Sequence, residues 1–109
     1  MPAAQYDLVI DQGSDFEISI TIEEDGSPMS LTGYGARASM RPNYESGTVH
    51  NFSSSITNST VKIEMAHTVT DDITAGTYVY DVEIYHTGNN AVTRILQGKA
   101  KVTREVTRA

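Results

Sequence analysis

Three histidines, two acidic clusters and a scatter of hydroxyl side chains are the residues that could do chemistry. His50, His67 and His86 stand apart along the chain, and none has a second His or Cys at a spacing that would share a metal ion. A histidine-assisted nucleophile needs a Ser or Thr beside the imidazole and a carboxylate behind it. The Ser and Thr residues here fall where turns and strand surfaces use them. Glu23-Glu24-Asp25 and Asp71-Asp72 lack the spacing of a calcium loop, which converges several oxygens from one short segment. They read as a solvated hairpin turn and as the acidic cap of a single helical turn over Asp71 to Ala75. Gly33-Tyr34-Gly35 lacks the strand–loop–helix context of a phosphate loop. The expectation is a protein that is not an enzyme, with no catalytic residues, no metal and no cofactor.

The elements that would position any site are strands. Gly76 to Tyr85 reads as a central strand, with Tyr78, Tyr80, Val82 and Ile84 on one side and Val79, Asp81, Glu83 and Tyr85 on the other. At roughly 3.3 Å per residue it reaches about 30 Å, enough to cross a small domain. Tyr6 to Ile10 is a short first strand after a leader, residues 1–5. Asp15 to Glu23 alternates cleanly, with Phe16, Ile18, Ile20 and Ile22 facing a core. Glu24 to Pro28 is a hairpin turn built on Asp25-Gly26. Tyr34 to Met40 alternates with small residues inward, and Pro42 ends it. Val49 to Phe52 reads as a short edge strand, and Ser53-Ser54-Ser55 and Thr57-Asn58-Ser59 as turn material. Val61, Ile63 and Met65 mark a further strand. Gly88-Asn89-Asn90 turns the chain back, so that Ala91 to Gln97 returns antiparallel to the central strand. Gly98 reads as a bulge or bend before a last strand over Lys99 to Val106. About seven to nine short strands separated by regular turn signals predict an all-β, immunoglobulin-like antiparallel β-sandwich in a single domain, residues 6–109.

Composition narrows the function classes. A chain of 109 residues fits one domain and buries roughly 65% of its unfolded surface. With no cysteine, disulfides and thiolate metal sites are excluded. The net charge of −6 argues against nucleic acid and suits docking to a basic surface. The N-terminus has no signal-peptide pattern, and no apolar run is long enough to span a membrane.

Four stretches, in order along the chain, resemble a family of small tailed-bacteriophage virion proteins. Ile10-Asp11-Gln12-Gly13-Ser14-Asp15-Phe16 matches an "I-x-Q-G-x-x-F" opening. Asp25-Gly26-Ser27-Pro28-Met29-Ser30-Leu31-Thr32-Gly33-Tyr34 matches "D-G-x-P-x-x-L-T-G-Y", with Arg37 and Met40-Arg41-Pro42 on the strand that follows. Ala75 to Glu83 matches "A-G-x-Y-x-Y-D-L-E", and Leu96 to Thr107 matches "L-x-G-x-x-x-V-x-x-E-V-T". The middle, Asn43 to Ser59, is least matched. The chain is similar to the N-terminal immunoglobulin-like domain of upper baseplate proteins of siphophages, which attaches receptor-binding machinery to the tail. That family carries no catalytic residues to transfer.

The resemblance implies a virion structural protein, assembled in the host cytoplasm and present in many symmetric copies that dock other virion proteins. With the chain ending at Ala109, the expectation is an adaptor or attachment subunit of the tail, baseplate or tail-fibre joint. A capsid decoration protein is the alternative. A carbohydrate-binding sandwich is the third class, disfavoured by the absence of Trp. The candidate partner contacts are Tyr44 and Phe52, which flank a loop, and Val79 and Tyr85, on the back of the central strand.

Overall fold

The computed structural model describes residues 3–24 and 26–106. Met1-Pro2 of the leader, Asp25 of the hairpin turn and Thr107 of the closing motif lie outside the described residues. In chain order the strands are β1 (Ala4–Gln5), β2 (Leu8–Asp11), β3 (Phe16–Thr21), β4 (Glu23–Glu24), β5 (Ser27–Pro28), β6 (Tyr34–Arg41), β7 (His50–Thr57) and β8 (Thr60–Met65). A single helical turn, α1 (His67–Thr70), precedes β9 (Gly76–His86) and β10 (Val92–Thr103). No helix is long and apolar enough to cross a membrane among the described residues.

The strands form one curled sheet in the order β1-β10-β9-β6-β7-β8-β3, with β2 also on β10 and β4-β5 as a separate hairpin. The curl comes from β7. Its first residues pair with β6 and its later ones, Ser53 to Thr57, pair with β8, so one strand serves both layers. The result is the all-β sandwich-like arrangement expected, with one departure. β1 and β2 lie parallel to β10, so the sheet is mixed rather than antiparallel throughout. Ala4 and Gln5 of the leader thereby pair with Leu96 and Gln97.

The inner face follows the alternation. Tyr78, Tyr80, Val82 and Ile84 of β9 are buried with Ala38 and Met40 of β6, Val61, Ile63 and Met65 of β8, and Ala100 and Val102 of β10. The small Ala38 lies between Val82 and Phe52 in register, which fills the space its methyl leaves. Two tyrosines carry their hydroxyls to backbone carbonyls, since a buried O–H needs an acceptor. The Tyr78 hydroxyl donates to Thr74 O at 2.6 Å, and the Tyr80 hydroxyl donates to Tyr6 O. Tyr6 O approaches β10 so closely at Gly98 that a Cβ there would collide with it. The glycine therefore admits the N-terminal segment, and β10 runs on through it.

Four sequence expectations need correction. β7 is an eight-residue interior strand, not a short edge strand followed by a serine turn. Its serines occupy a ladder because β8 supplies partners for Ser53 to Ser55, continuing the strand that β6 pairs over His50 to Phe52. The bulge in β10 falls between Arg94 and Leu96, turning both Ile95 and Leu96 inward, and not at Gly98. The helical turn begins at His67, and Asp71 is at its C-terminal end. Its first amide is satisfied by the Asp15 carboxylate, which accepts from His67 N at 2.7 Å and from the ring Nδ1 at 2.9 Å. Phe52, expected beside a loop as a partner contact, is buried at 6% exposure against Phe16, with ring centroids 5.9 Å apart.

Candidate functional site: the outer face of the central strands

The register of β6, β9 and β10 decides which outward side chains become neighbours. Tyr85 lies between Gly35 and Val92. Glu83 lies between Arg37 and Arg94. Asp81 lies between Ser39 and Gln97, and Val79 between Arg41 and Lys99. The alternation that buries Tyr78 to Ile84 thus presents a second, polar ladder on the far side of the same strands.

The ladder is cross-linked. Arg37 Nε donates to Glu83 Oε1 at 2.8 Å, and the guanidinium sits 5.3 Å above the Tyr85 ring. The ring itself lies over Gly35, where a Cβ would run into it. Arg94 Nε stands 3.3 Å from Asp81 Oδ2, and Arg94 also donates to Gln97 Oε1 at 3.2 Å. Ser39 Oγ donates to Asn51 Oδ1 at 2.7 Å. Arg41 turns to the loop that follows β6 and donates to Ser46 O at 2.7 Å. That loop holds Tyr44 at 84% exposure beside the sheet. Between loop and sheet lies a cleft of about 320 Å³, whose lining includes Arg37, Arg41, Tyr44, Val79, Asp81 and Arg94.

Burial pushes the Asp81 carboxyl above its ordinary range, with the Glu83 charge adding to the effect. Arg94, Arg41 and Arg37 pull the other way without cancelling it. Three guanidinia, two carboxylates, an amide and an aromatic rim on a rigid sheet can present fixed donors and acceptors to a partner; Arg and Tyr are the residue types that anchor such contacts.

Of the four residues expected to meet a partner, Tyr44, Val79 and Tyr85 come together on this face, and Phe52 does not. The arginines and Asp81 were outside the expected contact set. Their outward parity was readable, since Asp81 and Glu83 alternate with the buried tyrosines. Which arginines would stand beside them depended on the register of three strands. Five of the eight Lys and Arg residues, Arg37, Arg41, Arg94, Lys99 and Lys101, lie on this one face. The flanking Asp11 is the outward neighbour of Thr103, to which it is hydrogen-bonded.

The motif residues play a different part. Gln12 spans two segments, donating from Nε2 to Ile73 O at 2.8 Å and accepting from Glu105 N at 3.1 Å. Gly13 N donates to Thr70 Oγ1, which in turn donates to Ser14 O at 2.8 Å. Thr87 donates through N and Oγ1 to Gly33 O, each at 2.9 Å. These positions tie turns to neighbouring strands. The three histidines are likewise dispersed: His67 on Asp15, His86 edge-on to Tyr34 and His50 edge-on to Tyr78. Among the described residues, no group of three or more His, Cys, Asp or Glu side chains is placed to hold a metal ion. No protein-family model matches the chain, and no curated protein matches it.

Proposed function

We propose that this chain is a structural protein of a bacteriophage virion, an adaptor or attachment subunit of the tail, baseplate or tail-fibre joint that works by docking other virion proteins. One observation carries the reading. The stretches that resemble the phage family supply the turns and latches of the sandwich, through Gln12, Gly33, Tyr78, Tyr80 and Gly98. The strands so held then present an outer face of Arg37, Arg41, Arg94, Val79, Tyr85 and the nearby Tyr44, chemistry suited to protein contact. Repetition in a symmetric particle would let modest individual contacts hold by avidity.

Immunogold labelling of purified particles with an antibody to this chain tests the proposal, together with mass spectrometry of separated heads and tails. Label at the tail is the expected outcome. Label confined to heads would replace it with a capsid decoration role. Absence from particles by both measurements would overturn the virion assignment.

A further inference from the structure

The charges of this molecule are unevenly placed. The outer face of β6, β9 and β10 carries five of the eight cationic side chains in a chain whose net charge is −6. Its three strands contribute two carboxylates to that face, Asp81 and Glu83, and each is paired with an arginine. Arg41, Lys99 and Lys101 have no carboxylate within ion-pair distance among the described residues. At the end of the sandwich where β2 turns into β3, acids collect instead. Gln12 bonds to Ile73 and Glu105, and Asp15 bonds to His67 of the same helical turn, so that Asp15, Asp71 and Glu105 share one region, with Asp72 next to Asp71 in sequence, while Asp11 stays at the edge of the cationic face on Thr103. Arg104 lines that region beside Asp71 and Glu105.

We infer that the outer face of β6, β9 and β10 docks the acidic end of a second copy of this chain, head to tail. The inference rests on the docking role proposed for this face and names its occupant. The two surfaces lie on different parts of the molecule, so the contact is heterologous, and each copy joined leaves one cationic face and one acidic end free for the next. Such contacts build rings or filaments, which suits a subunit repeated around a symmetric particle. Complementary patches also steer encounter in spite of the repulsion between net charges.

Sedimentation of the full chain at low and high salt, with two complementary variants, tests the inference. The Debye length is about 30 Å at 0.01 M salt and about 3 Å at 1 M. Wild type should show a weight-average mass that rises with concentration above 11.9 kDa at low salt and returns to the monomer at high salt. R37Q/R41Q/R94Q removes the guanidinia of the face without adding negative charge, and D71K/D72K reverses the acidic end. Each should sediment alone as a monomer at low salt. Mixed, they should form a 1:1 heterodimer and nothing larger, because only one functional pair of surfaces remains. The pairing readout requires both variants to be folded, and their circular dichroism melts establish this. A wild type that stays monomeric at low salt, or a mixture that does not pair, overturns the head-to-tail contact. If that chain is still found at the virion tail, the docking role survives without it. If self-association holds but the chain is absent from particles, the virion assignment fails instead.

Discussion

The outer face of β6, β9 and β10 and the outer face of β3, β8 and the second half of β7 rest on the same inner pattern but carry different chemistry. The first presents arginines, Tyr85, Val79 and the half-buried Asp81, with the exposed Tyr44 beside them. The second presents Glu17, Ser19, Thr21, Lys62, Glu64, Ser53, Ser55 and Thr57, with no aromatic among them. Its three charged groups form two exposed ion pairs, Lys62 with Glu17 at 3.0 Å and with Glu64 at 3.9 Å. Exposed ion pairs of this kind contribute little to stability. Hydroxyl-rich outward positions suit a solvated sheet. The core fixes the alternation while leaving outward positions free, and aromatic and guanidinium groups gather on only one of the two faces.

The largest effects should come from the side of β9 that both faces depend on. Tyr80→Ala should cost about 3–5 kcal/mol in urea denaturation, since it empties a buried aromatic site and orphans the hydrogen bond to Tyr6 O. Val79→Ala, one residue away on the outer side, should stay within about 0.5–1 kcal/mol. Equal losses at the two positions would mean that the outer face is as much a core as the inner one, and the comparison would collapse.

Gln12→Ala comes next, at about 1–3 kcal/mol, because it leaves Ile73 O and Glu105 N without their partner. Much of the fold was legible from such local signals. The period-two runs placed β2, β3, β6, β8 and β9, and the Asn-rich turn before β10 gave its pairing. What could not be read were consequences of distant partners. Ser53-Ser54-Ser55 has turn propensity, yet β8 holds it in a ladder. The turn at His67 starts where Asp15 caps it from 52 residues away, whereas the nearest local acids, Asp71-Asp72, stand at its C-terminal end. Phe52 looked like a loop aromatic because the strand that carries it was read as ending there. For the candidate site, the parity of Asp81, Glu83, Val79 and Tyr85 was visible. The arginines that join them were assembled by strand register, which single-strand patterns do not specify.

A smaller effect separates inner from outer groups by pH. Burial raises the Tyr80 hydroxyl well above its ordinary range, with the Asp7 and Tyr6 charges adding to this, and burial also raises Tyr78. A folded pKa above the unfolded value means that the contribution is fully present below the unfolded pKa and is lost as pH rises through and beyond it. Stability should therefore hold to about pH 9 and decline from about pH 10, where free tyrosine ionises. Tyr80→Phe should flatten that decline. A decline of equal steepness in Tyr80→Phe would assign the alkaline loss to other groups.

The smallest effect is the sharpest test of the difference between the faces. Asp81 has its folded pKa raised by burial, so its ionised form at neutral pH weakens the fold. By the same sign rule, its favourable contribution exists only at acid pH, below its unfolded pKa, and is lost as pH rises through the folded value. Asp81→Asn removes the ionisation but keeps a side chain of the same shape beside Arg94. The melting temperature at neutral pH should rise slightly or stay level, while association with an acidic surface through the face should hold or strengthen, because Arg94 loses its competing carboxylate. Glu17→Gln, the matched change on the other face, should move neither quantity appreciably, because its partner Lys62 is exposed and solvated. A fall in melting temperature for Asp81→Asn would mean that its pairing with Arg94 outweighs the burial cost. Asp81 would then be one more strut of the sheet, and the outer face of β9 would lose its claim to be kept for a partner.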